Sequence, residues 1–214
     1  MGEVSIKNRN DPRAVRTRKL LVEGLMKLMA SRPFAEISVQ DLAAEATLNR
    51  ATFYAHFEDK QGLLEYATRE SFREVLEKRL ELHSSLEPES LKDLILAVCE
   101  FLERLFTHCK SVHLSEDAFD AVEHQVKAQV HTRLLEWLKL ARSGSGKAPY
   151  NLELAATGAS WAIYGISLQW ARGQRTQSAE KLVRLVLPMM EALLKAGSKG
   201  FGVSQAKCRV GLPI

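Results

Sequence analysis

The chain is predicted to be all-α. Three observations carry that prediction: apolar residues recur at three and four positions through most of its length, strand-like alternation is scarce, and only six prolines occur among 214 residues. No internal repeat is visible.

Each helix follows from its own signals. Asp11 followed by Pro12 sets an acceptor at the cap and a fixed φ at the first helical position, and Leu21, Leu25, Leu28 and Met29 share one face of the helix that stops before Pro33. Ser38 with Asp41 three residues on spells a capping box for a second, short helix, interrupted by "TLN" at 47–49. Asn49 caps a third of about two turns. Asp59 caps a fourth through Leu63, Leu64, Phe72, Val75 and Leu80. Beyond a break at "SSLEPES", 84–90, periodic segments run over 91–106, 117–141, 150–172 and 178–195, with "SGSGKAP" at 143–149 as the clearest loop. From Ala196 four glycines and no amphipathic period predict a loosely ordered tail.

Composition bounds the function. A hydrophobic content of 46%, a net charge of +4 and a pI near 9.0 describe a basic soluble chain that permits nucleic acid as a partner without demanding it. Three cysteines, Cys99, Cys109 and Cys208, with no CxxC pair and no secretory signal, imply a reducing, cytoplasmic setting. The most apolar region, 152–170, holds Glu153 and Gln169 and reads as a buried helix, so no membrane partner is expected.

The stretch "LNRATFYAHFEDK" at 48–60 carries the chemistry. On a helical wheel Phe57 lies about 40° from Phe53, so both rings face inward, while Ala51, Thr52 and Ala55 fall on the other side. A short capped helix, a three-residue turn and a helix with a small, polar outer face make a helix-turn-helix, whose second helix fits a major groove about 12 Å wide. Arg50 can donate two bonds to a guanine edge, Thr52 can bond a base, and the methyls of Ala51 and Ala55 can touch thymine. Ser38, Tyr54, His56 and Lys60 suit phosphate oxygens. The basic leader, with Lys7, Arg9, Arg13, Arg16, Arg18 and Lys19, could reach backbone or minor groove.

Residues 16–66, and above all "ISVQDLAAEATLNRATFYAHFEDKQGLL" at 37–64, resemble the DNA-binding domain of the TetR family of bacterial transcriptional regulators. The shared motif is a phenylalanine or leucine, a tyrosine, any residue, a histidine, an aromatic, two residues and a lysine; Phe53, Tyr54, His56, Phe57 and Lys60 fit it in order. The resemblance implies that Arg50, Ala51 and Thr52 meet bases and that Ser38, Tyr54, His56 and Lys60 meet phosphates of a double-stranded operator. Thr47 stands where the family often has glycine, so the turn either strains or dispenses with positive φ. Asn49, where serine is common, is an equal cap.

The resemblance further implies residues 1–64 as arm and helix-turn-helix domain, a fourth helix as connector, 65–195 as a helical effector-binding and dimerisation domain, and 196–214 as tail. Ala155, Gly158, Ala159, Ala162 and Gly165 form a small-residue stripe that another helix can approach, and the last helix carries Leu182, Leu185, Val186, Met189, Leu193 and Leu194. A homodimer interface is expected over Gly158, Ala162, Gly165, Leu182, Leu185, Met189 and Leu193, although the same residues could be one subunit's own core. Pro188 should kink the last helix or free a carbonyl. An unknown small-molecule effector is expected among Phe101, Leu105, His108, Cys109, Trp137, Trp161 and Tyr164.

The reading is a homodimeric, ligand-responsive repressor on an inverted repeat, with no cofactor. His108, Cys109 and His113, with Glu116 or Asp117, leave open a metal- or redox-responsive alternative, though the spacing matches no strong metal signature. A helical interaction module that does not bind DNA is a further alternative. The chain lacks G-x-S-x-G, H-E-x-x-H and a glycine-rich phosphate loop, so no enzyme is expected.

Overall fold

The computed structural model describes residues 11–108, 116–142, 152–173 and 177–196, with backbone alone at His108, Glu116, Asp117, Arg142 and Ala196. Lys7, Arg9, Cys109, His113, Cys208, the loop at 143–149 and the tail beyond 196 therefore lie outside the described residues. Eight α-helices and one short 3-10 turn make up the described residues: α1 (Pro12–Met29), the turn Phe34–Glu36, α2 (Val39–Glu45), α3 (Arg50–Tyr54), α4 (Lys60–Leu80), α5 (Pro88–His108), α6 (Glu116–Arg142), α7 (Leu152–Arg172) and α8 (Ala179–Ala196).

The caps act as the sequence indicates. Asp11 accepts from the Arg13 N–H at 2.8 Å, Asn49 from Thr52 at 2.7 Å and Asp59 from Gly62 at 2.8 Å. At Ser38 the box is reciprocal: its Oγ accepts from the Asp41 N–H at 3.1 Å while the Asp41 carboxylate accepts from the Ser38 N–H at 2.9 Å. α3 ends a few residues short of the two turns expected, at Tyr54. One further bond, from the Phe57 N–H to the Phe53 carbonyl at 2.9 Å, still carries Phe57 to the inner side.

Two hydrophobic cores share α4. The first gathers Leu21, Leu25, Phe34, Ile37, Leu42, Phe53, Phe57, Leu63, Leu64 and Ala67, with Ala118 and Ala121 reaching in from α6. The second begins at Phe72 and takes in the apolar faces of α5 to α8. The division thus falls inside α4, between Ala67 and Phe72, a turn beyond the expected border at 64. α4 is one continuous helix that supplies residues to both cores.

Within the second core α5 packs on α4, α7 and α8, and α6 on α4 and α7. Ala155 and Ala159 face inward, at 8% and 0% exposure, and Leu182 is buried at 8%; these three belong to the subunit's own core and not to an outer face. Leu193 and Ala162 lie half-buried against that core. α8 runs through Pro188 as unbroken helix, and Pro188 lies on its exposed side.

Candidate nucleic-acid interface

The turn between α2 and α3 is a Schellman motif: the Leu48 N–H reaches the Ala43 carbonyl at 2.8 Å and the Thr47 N–H the Ala44 carbonyl at 3.0 Å. Thr47 takes φ 56°, the left-handed conformation that motif requires. Of the two alternatives the sequence left open, positive φ with strain is the one adopted. The Thr47 hydroxyl donates to the Ala46 carbonyl at 2.7 Å.

Beneath α3, Phe53 is fully buried, its ring centroid 5.9 Å from that of Phe57 and 5.5 Å from that of Tyr54. This anchor fixes which side of so short a helix faces out. Arg50, Ala51, Tyr54 and Ala55 are exposed and Thr52 is half-exposed. The Arg50 guanidinium lies 5.9 Å from the Tyr54 ring centroid, and its Nη2 donates to the Tyr54 hydroxyl at 3.4 Å. Thr52 Oγ1 donates to Asn49 Oδ1 at 3.0 Å, which leaves that hydroxyl its lone pairs to accept with.

The residues expected at phosphate divide. Ser38 is exposed, with its hydroxyl donating to Asp41 Oδ2 at 2.6 Å. That bond, the Ser38 N–H and Arg32, whose Nη2 stands 3.2 Å from Oδ1, draw the Asp41 pKa down from 3.8 to about 2. His56 is half-buried, and burial, then the nearby Arg18 charge, lowers its pKa from 6.5, so at neutral pH it offers a neutral N–H and no cation.

Lys60 has a different role from the one its position suggested. Its ammonium donates to the carbonyls of Phe34, Ala35 and Ile37 at 3.0, 2.9 and 2.9 Å and sits 4.8 Å from the Phe34 ring centroid. Three donors meet three acceptors, so the side chain ties the start of α4 to the turn that leads into α2 and has no donor left for phosphate. Local spacing could not reveal this, because the acceptors lie more than twenty residues upstream.

Arg18 is likewise no part of a free arm. It is buried at 5% on α1, its guanidinium 5.8 Å from the Tyr66 ring centroid, with Arg69 at 5.3 Å from the same ring. Arg13, Arg16 and Lys19 are exposed on α1.

The expected effector residues do not converge. Phe101 and Leu105 line a cavity of about 380 Å³ between α1, α4, α5 and α6. Trp137 is 1% exposed, packed in the second core, whereas Trp161 is 60% exposed with Lys127 Nζ 3.5 Å from its ring centroid. Tyr164 is buried at 3% with no partner for its hydroxyl among the described residues, and burial raises its pKa. The His108 side chain and Cys109 lie outside the described residues, as do His113 and the Glu116 and Asp117 side chains. Among the described residues no three His, Cys, Asp or Glu side chains gather where a metal could sit, and no helix is long and apolar enough to cross a membrane.

A capped three-helix unit that presents a short, small-residue helix over an aromatic anchor defines the helix-turn-helix class of regulators. Residues 21–67 match the family described as "Bacterial regulatory proteins, tetR family". The chain is 31% identical over 105 residues to the uncharacterized HTH-type transcriptional regulator YxbF of Bacillus subtilis (strain 168), a match covering 49% of this chain and 27% of YxbF. It is 30% identical over 67 residues to the HTH-type dhaKLM operon transcriptional activator DhaS of Lactococcus lactis subsp. lactis (strain IL1403), covering 31% of this chain and 36% of DhaS. The chain thus spans about a quarter and a third of these two curated relatives. In fold it resembles the regulator FadR of Bacillus subtilis solved with stearoyl-CoA, with a TM-score of 0.56, 17% identity, and coverage of 80% of this chain and 96% of FadR.

Proposed function

We propose that this chain is a DNA-binding transcriptional regulator that grips an inverted-repeat operator as a homodimer and releases it when a small molecule binds. The observation that carries the reading is the outer face of α3: Arg50, Ala51 and Ala55 exposed directly above a fully buried Phe53. Arg50 reads a guanine edge, Ala51 and Ala55 contact thymine methyls, and Thr52 accepts from a base. Tyr54 and the neutral N–H of His56 meet phosphate oxygens and set the register, whereas Ser38 donates both its hydroxyl and its N–H to Asp41.

An outer face on α7 and α8 supports the homodimer. Leu154, Trp161, Leu185 and Met189 are each more than half exposed, and along α7 Gly158 and Gly165 fall on the same stripe as Leu154 and Trp161. A Cβ at Gly165 would meet nothing within 4 Å, so the space above it is open to a partner's helix. Two-fold pairing there sets the two copies of α3 against half-sites about 34 to 36 Å apart.

Repression is the proposed sign, as the family resemblance implies; DhaS, by its name, is an activator. The stearoyl-CoA bound by FadR, in a fold like this one, supports a lipophilic effector. Selection of bound duplexes from a random library, followed by a salt titration on the best site, tests the reading. An inverted repeat is expected, with affinity falling steeply as salt rises and with Arg50→Ala relaxing the preference at one base pair at a cost of about 1–3 kcal/mol. If no duplex is preferred at any salt, DNA binding is excluded.

A further inference from the structure

Pro188 sits inside α8 and deprives it of one bond. In a helix each carbonyl accepts from the N–H four residues on, and proline has no N–H, so the Arg184 carbonyl lacks its usual donor. α8 continues through Pro188, and Arg184, Leu185, Pro188 and Met189 are all exposed. The freed acceptor therefore opens onto the apolar outer side of α8.

Trp161 supplies a matching donor on the same face. Lys127 Nζ stands 3.5 Å from its ring centroid and donates to Glu123 at 2.6 Å, so α6 braces the exposed indole from one side. The Trp161 indole N–H meets no acceptor among the described residues, whereas that of half-buried Trp170 donates to the Gln177 carbonyl at 2.9 Å. A free donor and a free acceptor cost nothing while water reaches them, and each weakens any contact that covers it unpaired. α7 and α8 run antiparallel here: a Cβ at Gly158 would lie 3.9 Å from Leu193 Cδ2, and Trp170 reaches Gln177 at the other end. Trp161 thus stands level with Pro188 and Met189, in the middle of the face. A two-fold axis through that point lays α7 of one copy on α8 of the other.

We propose that the Trp161 indole N–H of each copy donates to the Arg184 carbonyl of the other, and that Pro188 serves the chain by making that backbone acceptor available. The occupant is a second copy of this chain, because donor and acceptor lie on one face and meet twice across a two-fold axis. Both groups are then satisfied as the face becomes dry. The pair also fixes the register of a seam that is otherwise made of Leu154, Leu185 and Met189, whose apolar contacts alone allow sliding. A related chain with an N–H at the position of Pro188, or without the indole, buries an unpaired group and is disfavoured as a partner. This pairing rests on the proposed homodimer for the existence of the interface.

The test uses the full chain with isotope-labelled tryptophan and no DNA. Trp161→Phe keeps an aromatic ring, removes the donor and identifies the Trp161 indole signal by its loss. In the wild-type dimer that proton is expected to exchange with heavy water at least about ten-fold more slowly than in the monomeric Leu185→Asp, Met189→Asp chain. Pro188→Ala supplies an N–H to the Arg184 carbonyl inside α8 and is expected to abolish the protection. Alanine is the better helix former, so this variant keeps its helix content in circular dichroism. In sedimentation Trp161→Phe and Pro188→Ala are each expected to weaken the dimer by about thirty-fold. The double variant should be no weaker than either single one, because donor and acceptor leave together. Exchange as fast in the dimer as in the monomer, a Pro188→Ala dimer as tight as wild type, or additive losses in the double variant would each overturn the pairing and leave the homodimer standing. A wild-type chain that sediments as a monomer at every concentration overturns the homodimer and the pairing together.

Discussion

Lys60 shows how a basic residue of the helix-turn-helix unit can be held inside the fold. An ammonium on three carbonyls is a set of charge-assisted bonds in a half-buried place, and removing it leaves those carbonyls to find water. Lys60→Met is expected to lower unfolding stability by about 2 kcal/mol in denaturant titration. The slope of log affinity against log salt should stay at the wild-type value, because no counterion-releasing contact is lost. A slope smaller by about one at unchanged stability would restore the phosphate role. Asp41 supplies a second residue-level test. Its folded-state pKa of about 2 lies below the ordinary 3.8, so its contribution is full above about pH 4 and disappears as the pH falls toward 2. Wild type and Asp41→Asn, compared in acid unfolding, should differ in stability above pH 4 and converge by about pH 2.

The turn between α2 and α3 is where an element conflicts with its own sequence. A β-branched residue at φ 56° costs about 1–2 kcal/mol relative to a right-handed conformation. Glycine avoids that penalty but gives more entropy to the unfolded chain. Thr47→Gly is expected to raise stability by about 0.5–1 kcal/mol in denaturant unfolding, with α3 and its DNA contacts unchanged; a loss of stability would mean the Thr47 hydroxyl's bond to Ala46 outweighs the strain. Most of this element was legible beforehand, since caps such as Ser38, Asn49 and Asp59 act within three residues of themselves. Phe53 and Phe57 were legible for the same reason. Lys60, Arg18 and Trp161 were not, because their partners lie on other elements and no periodicity specifies which side of a buried helix meets which neighbour. Small residues on α7 illustrate the limit. Ala159 and Gly165 look alike in sequence, yet one faces the subunit's core and the other faces open space.

At the scale of the whole molecule, the proposed operator binding depends on a surface that the single chain leaves open. Leu154, Trp161, Leu185 and Met189 present large apolar side chains on two neighbouring helices, where a monomer gains nothing by exposing them. If two copies bury that face, one operator contact brings the second within reach at high effective concentration, and avidity exceeds single-domain affinity by about 10²–10⁴. Leu185→Asp with Met189→Asp is expected to leave the fold intact, since both side chains are 61% exposed, and to convert a dimer into a monomer in sedimentation. The same variant should lose about 10²–10⁴ in affinity for the full inverted repeat while binding a single half-site as wild-type chains do. Both changes must appear together. A variant that stays dimeric places the interface elsewhere, and one that becomes monomeric yet keeps its affinity for the full repeat removes the link between pairing and operator spacing.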